Sequence, residues 1–399
     1  MKKILSLLLS MVLVVTACFA LAGCGSENTE VSSDIQVGFI FLHDENSTYD
    51  KNFIDAATAA KEALGLTDEQ VMFKTNIPET AECYEAAADL VDAGCDLIFA
   101  DSFGHEDFII QAAKEFPDVI FCHATGTKAH TEELPNFYNA FASIYEGRYL
   151  VGYAAGLKLN EMIENGEITA DQAKMGYVGA YPYAEVKSGY TSYYLGAKAA
   201  CPTVTMDVKF TNSWFDIAAE KETANALIAD GCVLISQHAD SEGAPKACEE
   251  AGVPNVAYNL DTREWGPNTA LISSKINWQP YFEHIITAVA GGTEIEQDFC
   301  KGLDEEVVQI IGLNDKVAAK DTQKKLDDVK AKLIKGEIKV FDTATFTVGG
   351  NKLESFKADV DSDAAFTPET EVVSDGYFHE SEMRSAPYFD IDIDGITIK

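Results

Sequence analysis

Short unbroken apolar runs, each followed by a helical pattern, constrain this chain more than any other feature. Residues 37–42, 97–100, 119–122, 175–179, 204–210, 233–236 and 256–258 each have the length of a strand buried on both faces. Between them, 79–93 repeats Ala, Leu and Val at intervals of three and four and stops at Gly94. Segments 108–116, 188–200, 218–229 and 244–251 repeat the theme. Such alternation predicts an α/β protein with parallel sheets covered by helices on both faces, and ligands then bind beyond the carboxyl ends of the strands.

The 399 residues are too many for one sheet unit of ordinary size, and 47% apolar side chains supply two cores. The run 143–159, long and rich in Gly and Ala, reads as a helix leading from a first sheet unit into a second. Lys and Arg number 30 against 65 acids, and the formal charge of −35 repels nucleic acid and anionic lipid headgroups. No nucleic-acid partner is expected.

Met1-Lys2-Lys3, the mainly apolar run 4–20 and Leu21-Ala22-Gly23-Cys24 read together as a signal peptide over residues 1–23. The Leu-Ala-Gly-Cys setting resembles a bacterial lipoprotein box, which implies cleavage before Cys24 and lipidation of that cysteine. Residues 24–33, mostly Ser, Glu, Asn and Thr after Gly25, then form a flexible tether. This predicts a body held to the extracytoplasmic face of the cell membrane by its lipid anchor. Cys83, Cys95, Cys122, Cys201, Cys232, Cys248 and Cys300 remain, an odd set without regular spacing, and they read as buried small hydrophobes.

No phosphate-cradling glycine loop, serine nucleophile elbow or zinc-binding helix motif occurs, so no metal or cofactor is expected. The informative residues stand at strand ends. They are His43 to Asp50 with Tyr49 among them, Asp101-Ser102-Phe103-Gly104-His105, Thr211-Asn212-Ser213-Trp214-Phe215-Asp216, Gln237-His238-Ala239-Asp240-Ser241, and Asn259-Leu260-Asp261 with Trp265 beyond. A planar ligand held there stacks on Tyr49, Phe103, Trp214 or Phe215, each good stack being worth about 1–3 kcal/mol. Asn, Asp, Ser and His then read its edge. Asp216 and Ser241 serve equally well as helix caps.

At these residues the sequence resembles the basic membrane protein family, the purine nucleoside receptor A-like substrate-binding lipoproteins. The matching stretches are Ser102-Phe103-Gly104, residues 116–126, Tyr145-Glu146-Gly147-Arg148-Tyr149-Leu150, residues 212–216, residues 237–241 and Trp265-Gly266-Pro267. The resemblance implies a two-lobed type I periplasmic-binding-protein-like fold with three chain crossings. It places 34–142 plus 276–303 in an N-terminal lobe, and 143–275 plus 304–345 in a C-terminal lobe. It also implies a purine nucleobase or nucleoside as ligand, with permease and ATPase subunits of an ABC importer as partners. Tyr49, Ser102, Phe103, Asn212, Trp214, Phe215, Asp240, Asn259 and Asp261 are the ligand-binding positions it suggests.

Two features depart from the family pattern. Ile276 falls where nucleoside binders place a lysine for ribose, and Lys275 lies on the opposite face of its strand, which favours a free base. An acidic C-terminal extension, 346–399, exceeds the usual family length. Within it, Asp390-Ile391-Asp392-Ile393-Asp394-Gly395 resembles half a calcium loop, but its alternation and Asp-Gly turn predict an edge hairpin. The functions competing with uptake are a ligand-sensing receptor and a nucleoside-processing enzyme using Asp44, Asp240 and Asp261. The dispersal of those aspartates over separate strand ends argues against the enzyme.

Overall fold

A computed structural model describes residues 34–399; the signal segment 1–23, Cys24 and the tether 24–33 lie outside the described residues. In chain order the first strands are β1 (Val37–Ile40), β2 (Val71–Lys74), β3 (Leu97–Ala100), β4 (Ile120–Ala124) and β5 (Phe137–Ala142). There follow β6 (Lys174–Gly179), β7 (Thr205–Phe210), β8 (Leu234–His238), β9 (Asn255–Tyr258) and β10 (Ala270–Ile276). The last are β11 (Asp298–Lys301), β12 (Val308–Ile311), β13 (Lys357–Ala358), β14 (Thr370–Glu371), β15 (Val373–Ser374), β16 (Tyr377–Phe378) and β17 (Ile396–Ile398). The α-helices are α1 (Thr48–Ala63), α2 (Ala81–Asp92), α3 (Glu106–Glu115), the single turn α4 (Ala129–Glu132) and α5 (Ile144–Glu164). After them come α6 (Ala184–Ala200), α7 (Ile217–Ala229), α8 (Gly243–Ala251), α9 (Gln279–Gly291) and α10 (Thr322–Ile334).

The first sheet runs β11-β5-β4-β3-β1-β2 and is parallel throughout. The second runs β12-β10-β9-β8-β6-β7-β17, parallel except for β12. Helices cover both, so β1, β3 and β9 are buried at every position, which is why those segments are uninterrupted apolar runs. The chain passes between the sheets three times, from β5 to β6, from β10 to β11 and from β11 to β12.

Each crossing is pinned by packing. In the first, α5 lies so close to α6 that a methyl group on Gly152 would strike the Tyr193 carbonyl, and one on Gly196 the Tyr149 carbonyl. The small residues of 143–159 are what permit that approach. In the second, Trp278 is fully buried and stacks on Phe53 of α1 with ring centres 4.5 Å apart. Beside it, Asn52 Nδ2 donates to the Ile276 carbonyl at 2.8 Å. In the third, Leu303 N donates to the Glu146 carboxylate at 2.9 Å, while burial pushes that carboxyl up to about 7.

The acidic tail is folded. Phe341, Phe346, Phe378 and Phe389 form an aromatic knot, with Phe341 and Phe389 stacked 4.4 Å apart. The expected hairpin at 390–395 is corrected by the structure: the chain turns at Asp394-Gly395 and enters β17, which adds to β7 in parallel. Ile391 and Ile393 are buried, and Thr347 Oγ1 and Gly350 N donate to the Asp394 carboxylate at 2.5 and 2.7 Å. The alternation therefore reflects packing against the body rather than a two-stranded ribbon.

Candidate ligand-binding cleft

The carboxyl ends of the two sheets face one another across a cavity of about 350 Å³, mouth included. Leu42, Tyr49, Asp50, Ser102, Phe103 and Thr125 line it from the first lobe, and Glu185, Trp214, His238 and Asp240 from the second. The lobes touch around it. Thr48 N donates to the Asp240 carbonyl at 2.7 Å, Phe103 lies 5.3 Å from Tyr183, and His43 lies 5.4 Å from Phe215.

On the first side, Ser47 caps α1 by accepting from Asp50 N, which fixes Tyr49 in the opening turn with its ring toward the cleft. The Tyr49 hydroxyl donates to the Asp101 carbonyl at 2.8 Å, and its ring meets Phe53 edge-on at 4.8 Å. Asp50 accepts from His43 N at 2.7 Å and Ser47 Oγ at 2.5 Å. Burial alone would raise its carboxyl, but these bonds outweigh it and hold Asp50 below the usual carboxylate range. Asp101 behind it is driven well above that range, first by burial and then by the Asp50 charge. The turn after β3 is tied down by Glu79, whose Oε1 accepts from Ser102 Oγ at 2.6 Å and Gly104 N at 2.7 Å. Phe103 is thereby held at the cavity mouth.

On the second side, Asp240 is buried, and no described residue hydrogen bonds its carboxyl. Burial, followed by the charges of Glu220, Asp50 and Glu185, pushes it well above the carboxylate range. Glu220 holds the two turns that carry Trp214 and Asp240, accepting from Asp216 N at 3.3 Å and Ser241 N at 3.1 Å. Trp214 meets Tyr181 edge-on at 5.1 Å, and Tyr181 stacks on Tyr183. His238 Nε2 lies 3.4 Å from Glu185 Oε1, and its ring meets Tyr258 at 4.8 Å.

Of the positions expected from the sequence, Tyr49, Ser102, Phe103, Trp214 and Asp240 share this cavity. Asn212, Phe215, Asn259 and Asp261 do not line it. Asn212 is exposed and Asn259 buried, with φ of +57° and +68°, and both turn the chain sharply where a strand ends. Asparagine tolerates that left-handed conformation, which accounts for it at both turns without a ligand. Phe215 packs on His43 beside the cavity, and Asp261 pairs with Arg263 at 2.5 Å on the surface. Ile276 is buried at the end of β10, and Lys275 beside it is half-buried. Asp216 caps α7 through Ala219 N, and Ser241 Oγ accepts from Gly243 N.

Leu42, Thr125 and Glu185 were not read from the sequence as lining residues, while Asp50 and His238 stood in the strand-end stretches without being chosen as ligand-binding positions. Glu185 follows the strand 175–179, so the strand-end rule applied there would have found it. The lining contains acids, aromatics and one histidine but neither Lys nor Arg. Such a wall offers carboxyls as hydrogen-bonding partners, gives an anionic ligand no cation to pair with, and presents flat faces for stacking.

The family model described as "ABC transporter substrate-binding protein PnrA-like" matches residues 42–344. A purine-binding protein of Brucella abortus (strain 2308) is 32% identical over 334 residues, covering 83% of this chain and 89% of its own. A Haloferax volcanii protein, named for glucose binding by an ABC transporter, is 30% identical over 272 residues, 68% of this chain and 62% of its own. Among solved structures, an ABC transporter solute-binding protein from Aeropyrum pernix K1 superimposes with a TM-score of 0.65 at 19% identity, covering 77% of this chain and 93% of its own.

Proposed function

As this chain belongs to the Bmp family of PnrA-like ABC transporter substrate-binding proteins, we propose that it captures a purine base or nucleoside between its lobes and hands it to a membrane permease driven by an ATPase. Cys24 carries the lipid that holds it at the extracytoplasmic face; no helix among the described residues is long and apolar enough to cross a membrane. No bond is made or broken in the ligand. The lobes part to admit it and close on it, and the ligand favours closure by its better affinity for the closed form.

The observation that carries this reading is the cavity wall itself, with Tyr49, Phe103 and Trp214 offering rings while the Asp240 carboxyl awaits a donor. An uncharged heterocycle bearing N–H groups satisfies both. Phosphorylated nucleotides do not, because the lining supplies no cation. Ile276 in place of a ribose-binding lysine favours the base over its nucleoside.

Titration calorimetry against adenine, hypoxanthine, adenosine, inosine, AMP and glucose tests this. The bases are expected to bind at least as tightly as the nucleosides, and AMP far more weakly. Binding of glucose alone would overturn the purine reading, and freed base on chromatography after incubation with inosine would overturn the non-enzymatic one. Trp214→Ala should weaken adenine binding roughly 10-fold or more, the cost of one lost stack. An unchanged affinity would remove Trp214 from the site.

A further inference from the structure

The family model ends at residue 344, yet the segment beyond it is packed against both lobes. On the first lobe, Ser385 N donates to Asp298 Oδ2 of β11 at 3.1 Å. Arg384 beside it is half-buried, with its Nη1 donating to the Asp359 carbonyl at 2.9 Å. On the second lobe, Asp390 and Asp392 pair with Lys187 of α6 at 2.7 and 3.4 Å, and β17 adds to the edge of the sheet.

Only residues 386–389 separate the two anchors, a span of at most about 18 Å from Ser385 to Asp390 when fully extended. Those residues have no slack. Tyr388 N and Phe389 N donate to the buried Glu380 carboxylate at 2.8 and 2.7 Å. The Phe389 ring stacks on Phe341, which in turn packs on Tyr145 at 5.5 Å, in the opening turn of α5 at the first crossing.

We infer that residues 356–399 form a strap across the hinge that favours the closed arrangement of the lobes. Asp240 is buried by the closed lobes, so a ligand reaches it only after they part. With both ends of the strap fixed and its middle pinned, that rotation has to release an anchor. The strap thereby sets the fraction of molecules that are open before any ligand arrives, and through it the apparent affinity. This inference does not depend on which ligand the cleft takes.

The test is fluorescence energy transfer in the full chain without ligand, with dyes at the exposed positions Glu82 in the first lobe and Glu222 in the second. Asp298→Ala removes the acceptor for Ser385, and Lys187→Met removes the ion pairs of the opposite anchor, weakening it while leaving β17 on β7. Each is expected to shift the distribution toward longer separations, whereas Asp298→Asn, which still offers an acceptor oxygen, should stay near the parent. Should Asp298→Ala fail to fold, Lys187→Met decides alone. Distributions that match the parent in the folded variants would overturn the strap and leave the ligand reading untouched. Where both variants fold, a shift in one of them without the other would also overturn it.

Discussion

Trp278→Ala is expected to cost about 3–5 kcal/mol of folding stability, the range for removing a large aromatic from a packed interior. Trp278 sits between β10 and α9, where the chain returns to the first sheet, and its ring is enclosed by Phe53, Phe99, Phe141, Tyr281 and Phe282. No side chain nearby can swing into the vacated space, because these rings are themselves held by one another. Denaturant unfolding should show a large fall in midpoint, with Trp278→Phe falling between the variant and the parent. A midpoint within about 0.5 kcal/mol of the parent, the usual range for surface changes, would mean that the crossing is not held by this ring.

A second large effect should appear as pH is varied. Burial raises the carboxyls of Glu146, Glu220 and Glu380 to about 7, and that of Asp298 to about 6. A carboxyl raised in the folded state favours folding most fully below its unfolded value, near 4.3 for Glu, and loses that contribution as pH climbs to the folded value. These four groups therefore pull the melting temperature down from about pH 4.5 to about pH 7 and do little above that, while His105 and His123, which burial lowers to about 4, pull it up over the lower part of the window. Each glutamate is worth a few kcal/mol at most over that window. Glu146→Gln and Glu220→Gln, which keep the shape without the ionisation, should each flatten the decline. Gln variants whose profiles run parallel to the parent's over that window would contradict the assignment. The excess of acids over bases acts in the same direction, since self-repulsion grows as carboxylates ionise.

The alternation of strands and helices was legible because fully buried parallel strands leave continuous apolar runs. β2 and β5 were not, for two different reasons. β2 is a half-exposed edge strand of four residues, and β5 interrupts its apolar residues with Asn139. β11 and β12 are short and half-buried, and β11 pairs with a strand far earlier in the chain, which no local pattern encodes. In the cleft, rings and acids at strand ends were readable from residue type and position. The asparagines admit two readings, since Asn serves both as a ligand-reading amide and as a tolerant left-handed residue; Asn212 and Asn259 hold left-handed turns beside the cavity rather than in its wall. Asp50 closes the polar stretch 43–50, but at a helix start an acid also looks like a favourable charge near the N-terminus rather than part of a wall.

The late pairing of β11 has a consequence for how the protein comes to be folded. The first sheet receives its outermost strand from residues 298–301, after strands β6 to β10 of the second sheet have been synthesised. Until then β5 presents a bare row of amides and carbonyls, a template for pairing with another molecule. A fragment ending near residue 142 should accordingly be prone to self-association, and export of the entire polypeptide before folding begins would spare it that hazard.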